Sequence, residues 1–314
     1  MYYVNDNSIV VKLMAEKTIY PDLERVAQQK NVSTDLLVKI FDIESDFHAK
    51  IIVEDSFDKR QNLYNEFYQK LYKLPFPKMD KVGHFKHEVS AKNQLVTLFK
   101  KELSGKSVID VGCGSGCFLY ALSASELPHK KLYGVDAKKP KIVKDHVSEN
   151  IEFDEINVVE FTTNESFDLA ISDNVFEHIA PADKHFYLGS IRSTLKDDGT
   201  LILIIPHKNF GPSDYTMIKD DSRSGAIMAE CAHLNETTYT QVIEDLAQHG
   251  FKNFKSPLPF IALSPLRRLF PSFRLNANFY SNLERSALFN NILKKIKING
   301  RLLFRMEVII IATL

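Results

Sequence analysis

Apolar runs alternate with amphipathic segments along the middle of the chain. Five short apolar runs predict buried strands, at residues 107–111, 131–135, 151–156, 167–172 and 200–205. The intervening segments with helical patterning lie near residues 117–124, 138–148, 183–196 and 237–249. Two further strands are predicted, at residues 251–260 and 307–313. This alternation predicts an α/β fold with a doubly wound, seven-stranded, Rossmann-like sheet.

The first 90 residues precede this alternation and show a different pattern. Apolar residues recur there at the spacing i, i+4, i+8 and i+11 of one helix face, namely Leu63, Phe67, Leu71 and Leu74. We therefore expect an N-terminal helical region at 1–90, followed by a core at 91–262. Two roles remain open for the helices: a cap over a substrate, or packing against the edge of the sheet.

The stretch from Ser107 to Cys117 joins the first predicted strand of the core to its first helix. Glycine occupies every second position after the strand, at Gly112, Gly114 and Gly116. Glycines in such a turn let the backbone approach a ligand with no β-carbons in between. A pyrophosphate-binding Gly-x-Gly-x-x-Gly motif would require glycine at position 117, so the spacing argues against a dinucleotide.

Two acidic residues lie at the ends of the first two predicted strands of the core. Asp110 precedes the first glycine by two positions, and Asp136 follows Gly116 by twenty. A carboxylate at the tip of the second strand suits a ribose, whose neighbouring hydroxyls are both donors. Asp110 would repel a phosphate but attract a cationic amino-acid tail. Together the two acids favour adenosine joined to a positively charged methionine.

Four motifs follow one another along the core, at residues 108–116, 134–136, 167–178 and 195–206. In composition, order and separation they resemble the motifs of class I S-adenosylmethionine-dependent methyltransferases. The resemblance implies that the cofactor is S-adenosyl-L-methionine and that the last strand enters the sheet antiparallel beside the fifth. The cofactor-binding residues that it implies are Asp110, Gly112, Cys113, Gly114, Gly116, Asp136, Asn157, Ser172 and Asp173.

Three of these residues follow the third and fourth predicted strands. Asn157 resembles the position that meets the adenine amino group, where the family often has Asp, and its amide can also accept from that amine. Ser172 and Asp173 would face the methionine end and the reacting methyl, but these residue types also cap helices, and both interpretations remain open. Glu177 and His178 resemble a Glu-His pair of the family that is often structural, so His178 is the weaker candidate base.

The connection after the fifth strand is longer than packing requires, and loops of this length are commonly lids or binding loops. Its Gly-Pro-x-Asp and His-Leu-x-Glu segments loosely resemble a subset of the family. This resemblance makes His207, Asp214 and His233 candidate catalytic residues that hold or deprotonate an acceptor hydroxyl; fixing the loop by hydrogen bonds is the alternative. It predicts O-methylation of a sugar or another small hydroxylated metabolite.

Composition agrees with this interpretation. With 44% hydrophobic and 25% charged residues, the 314-residue chain is typical of a soluble globular protein. Its three cysteines show neither metal-ligand nor disulfide spacing, and no apolar run approaches the ~20 residues that cross a bilayer. The sequence therefore predicts a cytoplasmic enzyme without a metal site.

A net charge of zero conceals an asymmetry between the C-terminal region and the rest. Residues 258–314 contain nine Lys or Arg and two acidic residues, a balance of +7 that the other 31 basic and 38 acidic residues offset. We assign residues 263–305 as a basic insertion and residues 306–314 as the final strand of the core. The insertion could face an anionic or lipid-linked acceptor, a membrane surface or RNA, or it could form a solvated face. The alternative functions are an RNA methyltransferase and a non-catalytic binding module, although the sequence contains no recognisable RNA-binding module.

Overall fold

The computed structural model describes residues 23–75, 81–138, 140, 150–210, 218–220, 226–228, 232–258, 269–292, 295–298, 301–302 and 307–314. The chain divides into two compact units. The first comprises Met1–Lys78 and Gly211–Leu234, and the second comprises Met79–Phe210 and Asn235–Leu314. This division differs from the expected boundary at residue 90, and it assigns the segment after the fifth strand to the first unit.

The described residues of the first unit are mainly helical, as the sequence pattern of residues 57–74 predicts. Its helices are α1 (Leu23–Lys30), α2 (Thr34–Val53) and α3 (Phe57–Tyr72). The Ser33 hydroxyl caps α2 by accepting the Leu36 N–H at 3.2 Å. Leu71 and Leu74 pack against buried apolar residues of α1 and α2. The unit also contains a short antiparallel ladder between Ile218–Asp220 and Ala226–Met228.

The second unit is built on an eight-stranded sheet. Its strands are β1 (Lys106–Val111), β2 (His129–Asp136), β3 (Ile151–Glu155), β4 (Phe167–Asp173), β5 (Leu195–Pro206), β6 (Lys252–Ser256), β7 (Leu275–Asn276) and β8 (Glu307–Thr313). Their order is β3-β2-β1-β4-β5-β8-β6-β7. The first five strands pair in parallel, and β8 pairs antiparallel with both β5 and β6. The predicted antiparallel last strand is therefore confirmed, and the insertion adds β7 as an eighth strand.

The described part of the second unit contains seven α-helices, and those between its parallel strands lie where the sequence alternates. They are α4 (Lys81–Leu98), α5 (Lys100–Leu103), α6 (Cys117–Ser123), α7 (Lys184–Thr194), α8 (Tyr239–Gln248), α9 (Asn278–Arg285) and α10 (Ala287–Asn291). Helix α4 runs through residue 90 without a break, and its Phe85 and Val89 pack on the core of this unit. This is why the first unit ends before residue 90. The helix expected near 138–148 falls largely outside the described residues. Among those that are described, every helix is too short or too polar to cross a lipid bilayer.

The insertion before β8 is tied to the core by apolar packing, with Tyr280 stacked on Tyr239 at 5.0 Å between ring centroids, and by polar contacts. The described residues of the insertion form α9 and α10, with Ser286 between them capping α10. Arg274 donates to both carboxylate oxygens of Glu102, at 2.9 and 2.8 Å, and to the Leu98 carbonyl at 2.7 Å. A guanidinium that grips a carboxylate with two parallel bonds fixes orientation as well as position. Arg274 therefore anchors the start of the insertion to α4 and α5.

Close packing inside the sheet depends on Gly134 in β2. A β-carbon at this position would lie 2.7 and 2.8 Å from ring atoms of Phe153 and 2.9 Å from the Cys113 Sγ. Because Gly134 lacks that atom, the Phe153 ring can pack over β2 towards Tyr120, with 6.0 Å between ring centroids.

We expect Gly134→Ala to destabilise the protein by about 1–3 kcal/mol, because overpacking a filled core forces its neighbours to move. Gly189→Ala is the matched control, since Gly189 lies in α7 with nothing within 4 Å of the position that an added β-carbon would take. That change should stabilise by roughly 0.5–1 kcal/mol through helix propensity. Urea unfolding followed by circular dichroism measures both, and equal effects of the two substitutions would contradict the packing explanation.

Candidate functional site

The turn after β1 presents bare backbone at the carboxyl edge of the sheet. Gly112, Gly114 and Gly116 all have positive φ angles, of 78°, 53° and 76°. The Gly112 N–H donates to the Val135 carbonyl at 2.8 Å, which ties the turn to the end of β2. A β-carbon on Gly112 would collide with Val175 at 2.4 Å, whereas one on Gly114 would meet nothing within 4 Å. The Gly114 side of the turn is therefore open to a ligand.

Asp136 ends β2 directly beside this turn. Its carboxylate accepts the Gly114 N–H at 2.9 Å and the Lys138 N–H at 3.1 Å. Burial raises the pKa of this carboxyl, and the backbone hydrogen bonds oppose that rise. A carboxylate can accept about four hydrogen bonds, and the backbone N–H groups of Gly114, Lys138 and Ala137 use three of them, so Asp136 keeps capacity for about one further donor such as a ribose hydroxyl.

Asp110 is a buried carboxyl at the end of β1. Its side chain has no hydrogen bond to any group in the part of the chain that the structure describes. Burial raises its pKa to about 8, the nearby charge of Asp173 adds to the rise, and the ammonium of Lys92 opposes it. An orphaned carboxyl of this kind would be stabilised by a cationic ligand such as the α-ammonium group of S-adenosylmethionine.

Lys92 reaches this cluster from α4. Its Nζ lies 2.6 Å from a carboxylate oxygen of Asp173, and the other oxygen of Asp173 accepts from the Asn174 amide at 2.9 Å. Burial lowers the pKa of Lys92, but the charges of Asp173 and Asp110 outweigh it and leave the pKa raised. One turn earlier on α4, Glu88 accepts a 3.5 Å contact from the Cys117 thiol. Helix α4 therefore supplies charged groups to the edge of the sheet.

The structure places the remaining predicted cofactor residues in three different surroundings. The Ser172 hydroxyl is fully buried and bonds the Tyr187 hydroxyl at 2.7 Å, so this side chain does not face an open edge of the sheet. The Asn157 amide oxygen accepts the Val159 N–H at 3.0 Å within its own loop. The Cys113 thiol is buried, and burial raises its pKa, so it remains protonated. Cofactor contacts by these three residues stay predictions.

His207 follows β5 and is buried in a polar network. Its Nδ1 accepts the Asn209 N–H at 3.1 Å, so the ring proton is on Nε2, which donates to Glu284 at 3.0 Å. The same carboxylate accepts the N–H groups of Tyr239 and Thr240, at 3.0 and 2.8 Å, in the first turn of α8. Both ring nitrogens of His207 are therefore engaged inside the protein. This geometry favours the loop-fixing alternative over a base that reaches an acceptor.

The Glu284 carboxylate completes this network from α9. Burial raises its pKa, but hydrogen bonds from His207 and Thr240 outweigh burial and leave the pKa below its usual value. Glu284 also lies at the N-terminus of α8, where exposed N–H groups and the helix dipole favour a negative charge.

The other two candidate catalytic residues belong to the long connection after β5. Asp214 lies outside the described residues, and His233 belongs to the first unit. The ends of the connection are both held by the second unit: the Lys208 N–H donates to the Thr237 carbonyl, and the Asn235 N–H donates to the Glu177 carbonyl, each at 2.8 Å. The connection therefore leaves and rejoins the second unit beside β4 and β5.

Lys92 and Glu284 were not among the residues singled out in the sequence. The sequence indicates only weakly that Lys92 reaches the site. Glu88 and Lys92 are one helical turn apart in the helix that leads into β1, on the same side as Phe85 and Val89, which pack on the core. Nothing in the sequence indicates the role of Glu284, because it is 77 positions from His207 and meets it only when the insertion folds.

Comparisons with known proteins agree with this geometry. A family model described as a methyltransferase domain matches residues 102–255. A search of curated proteins found no match.

Solved structures give more distant likenesses. A Burkholderia thailandensis 1,6-didemethyltoxoflavin-N1-methyltransferase, with 1,6-didemethyltoxoflavin and S-adenosylhomocysteine bound, is 14% identical, with 83% of this chain and 91% of that chain covered and a TM-score of 0.45. A Mesorhizobium loti S-adenosylmethionine-dependent methyltransferase is also 14% identical, with 72% of this chain and 99% of that chain covered and a TM-score of 0.45. Likenesses this distant give no information about the acceptor.

We expect Asp110→Asn to stabilise the ligand-free protein increasingly as the pH rises from about 4 to about 8. The folded protein holds the Asp110 proton up to a pKa of about 8, while the unfolded chain releases it near the ordinary aspartate pKa of 3.8, so wild-type stability falls across this window. The difference between the two proteins should widen by up to about 1.4 kcal/mol per pH unit. Thermal melts across the pH range measure it.

Asp197→Asn controls for the loss of a negative charge, because Asp197 is exposed. Asp110→Asn should also weaken binding of S-adenosylmethionine, measured by calorimetry. A stability difference that is constant from pH 4 to pH 8 would contradict the assignment of a buried, titrating carboxyl.

Glu284→Ala should destabilise the protein by about 3–5 kcal/mol, because it leaves the N–H groups of α8 and the His207 ring buried without their acceptor. The matched control is Glu244→Ala, since Glu244 and Arg285 form an exposed pair at 4.0 Å, which contributes about 0–1 kcal/mol. Because the pKa of Glu284 is lowered, its contribution is present above the unfolded pKa and is lost as the pH falls through the folded one. Denaturant unfolding at neutral and acidic pH tests this, and similar losses in both variants would refute it.

Proposed function

We propose that the chain, whose residues 102–255 match the family model of a methyltransferase domain, is a class I S-adenosylmethionine-dependent methyltransferase that methylates a hydroxyl of a sugar or another small hydroxylated metabolite. The observation that carries the acceptor side of this proposal is the connection after β5. It leaves and rejoins the second unit beside the ends of β4 and β5, the edge at which Asp110, Asp173 and the glycine turn lie.

The charges at this edge suit the amino-acid end of the cofactor. Asp110 offers the ammonium group a buried carboxyl that has no hydrogen-bond partner among the described residues, and Lys92 offers a cation to the cofactor carboxylate. Lys92 would exchange its contact with Asp173 for the ligand, or share it between the two. Asp136 and the Gly114 backbone hold the ribose in this proposal, and Asn157 meets the adenine.

S-adenosylmethionine supplies an activated methyl group when it is bound. The protein then has to hold the acceptor oxygen in line with that methyl and exclude water, and alignment of this kind can supply about 7–11 kcal/mol of the barrier reduction. A hydroxyl must also lose its proton as the new bond forms. A positioned base contributes roughly 10²–10⁴-fold to such a step.

The candidates for that base differ in their surroundings. His207 is fixed on both ring nitrogens, and we assign it to positioning the start of the connection. Asp214 and His233 belong to the segment that the loop resemblance implicates, and we propose that they hold or deprotonate the acceptor hydroxyl. The balance of +7 in residues 258–314 supports an acceptor with a negative charge, such as a phosphorylated or lipid-linked sugar.

The test is transfer of a radiolabelled methyl group from S-adenosylmethionine into separate pools of sugars, sugar phosphates, lipid-linked sugars and RNA. We expect label in a hydroxylated small molecule. His233→Ala and Asp214→Asn should lower kcat by about 10²–10⁴-fold if either is the base, with little change in cofactor affinity measured by calorimetry.

Asp197→Asn, at an exposed position on β5, is the control for a neutral surface change. Label in RNA would favour the RNA methyltransferase alternative. Unaltered turnover of both His233→Ala and Asp214→Asn would remove the connection from the acceptor site, while loss of all transfer together with loss of cofactor binding would point to a folding defect.

A further inference from the structure

Large apolar side chains that remain exposed are unevenly distributed over the described residues. Two of the eight are on α2, at Ile52 and Val53. The other six are in the insertion: Leu269, Phe270, Phe273, Phe279, Leu288 and Ile292. Single exposed apolar residues are common on protein surfaces, but a concentration of them in one segment is typical of an interaction site.

The first three of these residues lie on or beside one tight turn, residues 270–273, which we call the Phe270 turn. The Phe273 N–H donates to the Phe270 carbonyl at 3.1 Å and closes it. Leu269, Phe270 and Phe273 are 71%, 61% and 50% exposed. Arg274 holds the turn in shape by donating to the Phe273 carbonyl at 3.0 Å and to the Pro271 carbonyl.

Arg274 also connects the Phe270 turn to the core through Glu102. The apolar side chains are therefore presented by a turn whose position depends on polar bonds rather than on burying those side chains. At least half of each of these side chains is exposed, and that part contributes no packing to the fold. The turn is already held in one shape, so it would lose little conformational entropy when a partner covers it.

The charge around the Phe270 turn identifies the kind of partner. It belongs to the stretch with nine basic and two acidic residues, and one of the two acids, Glu284, is engaged with His207. Lys100 and Lys101 are exposed on α5, next to the Glu102 that holds Arg274. The rest of the chain carries the opposite balance of −7, so an anionic surface would attract this region and repel the others.

We propose that the Phe270 turn is an interfacial binding element that inserts Leu269, Phe270 and Phe273 into the surface of an anionic lipid bilayer while Lys100 and Lys101 on α5 contact its headgroups. Leucine and phenylalanine gain from the boundary between headgroups and acyl chains, and basic residues gain from an anionic leaflet. Nucleic acid would satisfy the charges but would leave Leu269 exposed. The proposal does not depend on the identity of the methyl acceptor.

The experiment is co-sedimentation of the full chain with vesicles of phosphatidylglycerol and phosphatidylcholine, at low and high salt, and with vesicles of phosphatidylcholine alone. We expect binding to the anionic vesicles at low salt and weaker binding when salt is added or phosphatidylglycerol is left out. Phe270→Ser/Phe273→Ser should weaken binding by about tenfold or more. Lys100→Glu/Lys101→Glu should weaken it by at least about fivefold.

Ile52→Ser/Val53→Ser is the matched control, because these side chains are similarly exposed, at 46% and 64%, but lie outside the basic stretch. It should bind vesicles like the wild type, and unchanged thermal melts of every variant show that each is folded. Absence of binding to anionic vesicles at low salt would overturn the proposal, as would equal binding by the Phe270/Phe273 variant. If the wild type elutes as a dimer in size-exclusion chromatography, the variant elutes as a monomer and both bind vesicles equally, the turn would be assigned to self-association instead.

Discussion

Burial of the Asp110 carboxyl is the constraint around which the carboxyl edge of the sheet is organised. A carboxylate enclosed at the end of β1 is costly while it is charged and unpaired, and neighbouring Asp173 increases that cost. Lys92 reduces it only in part, because its ammonium is bonded to Asp173. The charged form of Asp110 is therefore unfavourable in the unliganded protein, and the cofactor ammonium group that we propose would stabilise it.

Glu284 is a buried acid whose pKa is lowered, in contrast to that of Asp110. Donors from the end of β5 and the start of α8 surround its carboxylate, so its ionised form is favoured and its pKa is lowered. The two acids therefore have opposite effects on stability. The folded protein is more stable when Asp110 is protonated and when Glu284 is ionised. Stability should consequently be greatest at intermediate pH, where Glu284 is charged and Asp110 still retains its proton.

Local patterning was enough to predict the five parallel strands of the second unit and the α/β class, whereas the antiparallel pairing of β8 came from the family resemblance and β7 was not predicted. Apolar runs such as residues 200–205 are buried on both sides wherever they lie in a parallel sheet, so they mark strands directly. The positions of Asp110, Asp136 and the glycines follow from strand ends and were equally predictable. The burial of Ser172 against Tyr187 was not, because strand alternation alone does not show which side chain covers a given position. The Arg274–Glu102 and His207–Glu284 pairs join residues 172 and 77 positions apart, and only tertiary packing brings them together.

The two fixed ends of the connection after β5 have a consequence for how the protein can change. Its 24 residues assigned to the first unit, Gly211–Leu234, start and finish at points that hydrogen bonds hold within the second unit. The entropy of closing such an excursion rises only slowly with its length, by about 0.6 kcal/mol for each doubling. Segments of different length and sequence could therefore be grafted between the same anchors without disturbing the strands that precede and follow them. If the connection contacts the acceptor as we propose, acceptor choice could change through this segment while the proposed cofactor-binding edge stays constant.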